Sequence, residues 1–149
     1  MIQKLDNKNI EFARKMKAVF HASYTIEAAL LQADNFPPLQ RQIPAYMDAE
    51  TEFFGFWENE ELAAVVELHL DPKQIHIQSL VVAPNYFRQG IGRKLVQYVL
   101  DSFSSELFMV ETGSANQPAI ALYESFGFEE VLQWDTEHGI RKVRFEKKG

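Results

Sequence analysis

Hydrophobic and polar positions alternate along this chain in two rhythms. Ile10, Phe12, Ala13, Met16, Val19 and Phe20 recur at helical spacing and predict a helix from Asn9 to Phe20. A short strand at Ile2 to Leu5 precedes it. A second helix is expected from about Thr25 to Ala33, capped by Thr25 and broken by Asn35-Phe36-Pro37-Pro38. Periodicity then fades, and Leu39 to Thr51 reads as a loop or short helix over one end of the fold. The rhythm next shortens to that of strands. Phe53 to Trp57 and Leu62 to Leu70 flank Asn59-Glu60 as a hairpin, and Gln74 to Val82 follows after Asp71-Pro72-Lys73.

Helical spacing returns at Ile91, Leu95, Val96, Val99, Leu100 and Phe103. Leu107 to Glu111 is a strand, Gln117 to Phe126 a helix with Pro118 in its first turn, and Gly127 its stop. Phe128 to Trp134 and Ile140 to Phe145 complete the sheet. The order is β-α-α-β-β-β-α-β-α-β-β, a mixed α/β fold of about six or seven strands with helices on both faces. The 149 residues fit one domain, 1–149, with enough apolar content (46%) to build a core.

Charge and residue types narrow the function. A net charge of −6 disfavours a nucleic-acid or anionic-membrane partner but suits a cationic acceptor. There is no cysteine, hence no thiol chemistry, and His21, His69, His76 and His138 lack metal-site spacing, so no metal is expected. No stretch approaches the ~20 apolar residues of a membrane span, and the first residues do not read as a signal peptide. The expected location is cytoplasmic.

Chemistry concentrates after the strand ending in Leu80-Val81-Val82. Ala83-Pro84-Asn85-Tyr86 turns the chain, and Phe87-Arg88-Gln89-Gly90-Ile91-Gly92-Arg93 leads into a helix. A helix N-terminus has unpaired N–H groups and favours anions. Gly90 and Gly92 allow a phosphate to approach the main chain, and Arg88 and Arg93 add positive charge. A Walker loop is excluded, because Gly-Lys-Ser/Thr is absent. A dinucleotide fingerprint is excluded too, because Leu95 stands where its third glycine belongs.

The segment resembles the acetyl-CoA loop of the Gcn5-related N-acetyltransferase (GNAT) superfamily, Gln/Arg-x-x-Gly-x-Gly/Ala. Here Phe87 holds the first position, followed by Arg88 and Gln89. That departure assigns no charged contact to Phe87 and leaves the main-chain cradle intact. A second phrase, from Asn116 through Ala119, Leu122 and Tyr123 to Gly127-Phe128, resembles the superfamily's Asn-x-x-Ala-x-x-Leu-Tyr-x-x-x-Gly-Phe motif. The resemblance implies acetyl-CoA as cosubstrate and Tyr123 as the acid at the departing sulfur. It also implies Asn116 at the pantetheine arm, and Leu80, Val81 and Val82 as the strand whose main chain holds that arm. An N–H near Val81 would stabilise the oxyanion. The plainer readings are a core aromatic for Tyr123 and a helix cap for Asn116.

An amine acceptor must lose a proton. The resemblance implies a glutamate on the strand before the loop, but His76 and Gln78 are the side chains alternating with Ile75, Ile77 and Ser79. His76 is the first candidate base, Glu67 on the adjacent strand the second, and Glu111 a third. The acceptor lid would come from the N-terminal helices and Asn35 to Glu50, with His21, Tyr24, Phe36, Arg41 and Tyr46 available. Arg41 is either a surface residue or a contact for an acceptor carboxylate. The expected reaction is direct acetyl transfer to the primary amine of a small molecule, and the alternative is a non-catalytic acyl-CoA-binding module. Val131, Trp134, Ile140 and Val143 either finish the core or pair a homodimer.

Overall fold

A computed structural model describes residues 1–149. Seven strands form one sheet in the order β1-β2-β3-β4-β5-β7-β6. They are β1 (Ile2–Leu5), β2 (Glu52–Glu58), β3 (Glu61–His69), β4 (Gln74–Val82), β5 (Leu107–Gly113), β6 (Glu129–Asp135) and β7 (Arg141–Lys148). All neighbours are antiparallel except β4 and β5, which run parallel. The helices are α1 (Ile10–Leu30), α2 (Ile43–Met47), α3 (Ile91–Ser102) and α4 (Gln117–Ser125).

Each face of the sheet carries its own core. Leu95, Val96 and Val99 of α3 and Tyr123 of α4 pack with Phe54, Val66, Leu68, Ile75 and Ile77 on one face. Ala13, Met16 and Phe20 of α1 and Tyr46 of α2 pack with Phe53, Val65 and Val81 on the other. The alternation of side chains along β2 to β4 separates the two sets.

The N-terminal region corrects the two-helix expectation. One 21-residue helix runs from Ile10 to Leu30. Its inward stripe continues through Phe20, Tyr24, Ala28 and Leu31, so nothing stops the helix at Phe20. Thr25 is not a cap; its hydroxyl donates back to the His21 carbonyl at 2.7 Å, as a mid-helix threonine does. Past its C-cap Leu31, Gln32 takes the left-handed region (φ 55) and Ala33 N–H donates to Ala28 O at 2.9 Å, which closes the helix. The second helix is instead the five-residue α2.

Two irregularities shape the centre. Glu67 pairs with Ser79 but Leu68 pairs with Ile77, so Gln78 is an extra residue, a β-bulge. The bulge resets the alternation. Ser79 therefore lies on the Glu67 side, not on the side of Ile75 and Ile77 as strict alternation predicts. The β4–β5 ladder then stops at Ile77↔Val110. Beyond it the two strands part, and α1 bridges the gap. Leu31, the residue just past α1, packs its side chain so close to Gly113 that a Cβ there would lie 2.5 Å from it. Ile140 (7% exposed) and Val143 (1%) finish the core, whereas Val131 on the edge strand β6 stays exposed.

Candidate active site

The parting of β4 and β5 opens a cleft of about 930 Å³, which runs from the loop before α3 to α1 and the start of α4. Leu80 and Val82 line it; Val81 does not. The main chain explains why. Ala83 N–H donates to Ala63 O, so in this antiparallel pair Val81 likewise turns its N–H to β3. Leu80 and Val82, half a repeat out of phase, turn theirs to the gap. The oxyanion donor expected near Val81 is thus to be sought at its neighbours.

At one end of the cleft, the loop before α3 presents main-chain donors. Arg88 (φ 64) and Gly90 (φ 73) both adopt left-handed conformations. Through this turn runs a row of consecutive N–H groups, Arg88 through Arg93, none of which has an acceptor within the chain. Such a row at the start of a twelve-residue helix fits a pyrophosphate. Arg88 forms no ion pair and lines the cleft. Arg93 also lines it, but its guanidinium donates to Ser125 Oγ at 2.8 Å and lies 4.7 Å from the Phe126 ring centre, tying α3 to α4. Gly90, Ile91 and Gly92 border the cleft, and Gln89 does not.

Tyr123 stands further along the cleft, buried among core residues (4% exposed). Its hydroxyl makes no hydrogen bond within the chain, unlike that of a satisfied core tyrosine. Burial, with smaller contributions from Tyr24 and Glu27, raises its pKa and keeps the phenol protonated. Asn116 caps α4, its Oδ1 accepting from Ala119 N–H at 3.3 Å. Its Nδ2 donates to Glu27 Oε1 at 2.6 Å, so both ends of the amide have partners in the chain. Sequence reasoning missed Glu27. Its signal was a carboxylate interrupting the inward stripe of α1, visible only once that helix is read as continuous. Burial raises its pKa, against the opposing influence of the Asn116 bond and Lys142.

A second cavity of about 320 Å³ opens on the α1 side of the sheet. Arg41, Glu67, His76, Gln78, Ser79, Glu111 and Lys142 line it, with no apolar side chain. Glu67 is held fast there. Arg41 grips both its oxygens (2.8 and 3.1 Å), Thr51 donates at 2.6 Å and Ser79 at 3.0 Å. Arg41 is no loose surface residue, since its guanidinium also lies 4.2 Å from the Tyr46 ring centre. Burial lowers the pKa of His76, and Glu111 is the one neighbour that opposes the shift. Arg41, Gln78, Ser79, Glu111 and Lys142 border both cavities. The two therefore meet where β4 and β5 part.

The sequence profile of the Acetyltransferase (GNAT) family matches residues 14–128. This chain belongs to the GNAT acetyltransferase family. A GNAT relative, the ribosomal protein bS18-alanine N-acetyltransferase of Escherichia coli K12, is 30% identical over 113 residues, 74% of each chain. The YqkA protein of Bacillus subtilis strain 168 is 34% identical over 132 residues, 88% of this chain but only 38% of YqkA. YsnE, described as an N-acetyltransferase of the same organism, is matched over 57% of its length. The GNAT fold itself recurs in solved structures. The E. coli ribosomal-protein-S18-alanine N-acetyltransferase superposes with a TM-score of 0.77 at 21% identity, covering 99% of this chain and 92% of the other. The PaiA N-acetyltransferase of Thermoplasma acidophilum, solved with coenzyme A, gives 0.74 at 18% identity, covering 100% and 98%. No helix is long and apolar enough to cross a membrane.

Proposed function

We propose that this protein binds acetyl-CoA in the large cleft and transfers the acetyl group to an amine held in the small polar cavity. One observation carries the reading. The two cavities join at the point where β4 and β5 part, and Tyr123 offers an unpartnered hydroxyl on the donor side.

Bound there, acetyl-CoA supplies an activated acetyl thioester. The N–H row from Arg88 to Arg93 receives the pyrophosphate, with Arg88 adding charge. Leu80 and Val82 offer main-chain groups to the pantetheine and an N–H to the developing oxyanion. As the nitrogen–acetyl bond forms, the acetyl–sulfur bond breaks. The acceptor ammonium loses two protons in all, one to a base and one that ends on sulfur.

Tyr123 stabilises the leaving sulfur chiefly as a hydrogen-bond donor. A thiol pKa lies near 8.5, well below that of this buried phenol, so proton transfer from the phenol alone runs uphill. His76 is the proposed base, because burial keeps it neutral and Glu111 favours the proton it gains. Glu67 has all its oxygens engaged and is assigned to holding Arg41 in place.

Calorimetric titration with acetyl-CoA tests the reading on the wild type and on Gly90→Asp. No atom lies within 4 Å of a Cβ at Gly90, and aspartate tolerates a left-handed conformation better than most residues, so the variant should fold. Micromolar binding is expected for the wild type. The added carboxylate should weaken it about tenfold or more, ~1.4 kcal/mol. Absence of binding by the folded wild type would overturn the proposal. Binding without release of thiol on any amine would favour the acyl-CoA-binding module.

A further inference from the structure

The acceptor cavity is charge-balanced in a chain of net charge −6. Arg41 and Glu67 cancel each other through their paired hydrogen bonds. Two charges remain, the ammonium of Lys142 and the carboxylate of Glu111. Neither makes an ion pair or a hydrogen bond within the chain. Arg144, opposite Glu111 in the ladder, lies with its Nε 2.9 Å from a Glu146 carboxylate oxygen, a charge contact without hydrogen-bond geometry.

Register fixes how these two charges stand. Glu111 pairs with Arg144 and Gly113 with Lys142, so Glu111 and Lys142 are diagonal neighbours on one face of β5 and β7. Such positions lie roughly 7–8 Å apart. The two side chains border the same cavity without neutralising each other. Glu111 follows Val110, the last residue of β5 paired with β4, and so stands at the mouth of the donor cleft. Lys142 lies one step further along the gap.

Building on the acetyl-transfer reading above, we infer that the acceptor is a small zwitterionic amine of the amino-acid type. Its ammonium is drawn to Glu111 at the mouth of the cleft, and its carboxylate is held by Lys142. An amine without an anionic group leaves the Lys142 ammonium with no contacting partner, since Glu27 feels its charge but forms no ion pair with it, and a polyamine adds a repulsive charge beside it. A peptide N-terminus brings an amide where the carboxylate belongs. The all-polar lining and a volume of about 320 Å³ suit a compact, fully hydrated molecule.

Matched acceptors decide the matter. Thiol release from acetyl-CoA is followed with glycine against glycinamide, γ-aminobutyrate against butylamine, lysine against cadaverine, and an alanine-led peptide, with products checked by mass. The carboxylate-bearing member of at least one pair should lead in kcat/KM by tenfold or more. Lys142→Gln should bring that ratio close to one by raising KM for the acid, and Lys142→Arg should keep it. Equal or better turnover of the uncharged, polycationic or peptide acceptors overturns the inference. So does a ratio untouched by Lys142→Gln in a variant that melts like the wild type. If acetyl-CoA binds but no carboxylate-bearing amine is acetylated, the acceptor class is wrong while the donor site stands. If acetyl-CoA does not bind, the acetyl-transfer reading itself has failed.

Discussion

The two cavities that meet between β4 and β5 are built from different material. The proposed donor cleft offers main chain: the N–H groups of Arg88 to Arg93, and the edges of Leu80 and Val82 left free by the lost ladder. The acceptor cavity works with side chains alone, and all of them are polar. Main-chain donors are fixed by backbone conformation and demand little of the residues that carry them. Side-chain charges must be held against their own desolvation, as four hydrogen bonds hold Glu67. Donor-side substitutions should therefore change binding or rate with little effect on stability. On the acceptor side, stability and function should fall together where the charge is paired, at Arg41 and Glu67.

Tyr123→Phe puts the largest strain on this contrast. Its hydroxyl has no partner in the chain, so removal should leave the melting temperature and the Kd for acetyl-CoA nearly unchanged. Turnover should fall by roughly 10²-fold or more, the scale of a lost hydrogen-bond donor to charge developing in the transition state. A kcat within about twofold of wild type would return Tyr123 to the core and remove it from the chemistry.

Arg41→Ala probes the other side. It strands a carboxylate that is 3% exposed and removes a cation from among the rings of Tyr46, Phe20 and Phe53. Breaking a buried pair costs about 3–5 kcal/mol, and the partial exposure of Arg41 (23%) argues for about 3. For a chain of this size that lowers Tm by roughly 10 °C. Adding Glu67→Gln should restore part of the loss, because the stranded charge is then gone. A loss below about 1 kcal/mol would mean that the pair behaves as a surface ion pair.

The same difference in material decided what could be read in advance. The donor site is local: Gly90, Gly92 and the phrase from Asn116 to Phe128 sit on short contiguous segments whose spacing carries the geometry. The places of Tyr123, Arg88, Leu80 and Val82 along one cleft follow from those segments, and all seven strands were legible in the pattern of the chain. The acceptor cavity gathers residues from β3, β4, β5, β7 and the segment before α2, and no single segment carries its signature. The bulge at Gln78 hid which face Ser79 takes, and reading α1 as two helices hid Glu27. Arg41 looked like a surface residue because its partner lies 26 positions away, in another element.

The finest test of the acceptor side is the acid limb of its pH profile. Burial holds His76 below its ordinary value of 6.5; Glu111 opposes that shift, while Arg144, His69 and Lys142 reinforce it. If His76 is the base as proposed, its neutral imidazole is the competent form, so kcat/KM should stay level down through pH 6.5 and fall only below it. Stability follows the same sign. The folded state binds this proton less readily than the unfolded one, so the contribution is complete above 6.5 and shrinks as pH falls toward the folded pKa. Glu111→Gln removes the one influence favouring protonation and should move the limb to lower pH. His76→Gln should abolish the limb and lower the plateau by about 10²-fold. If His76→Gln keeps the limb and Glu111→Gln erases it, the carboxylate at the mouth of the cleft takes the proton itself, and the imidazole behind it only tunes the field.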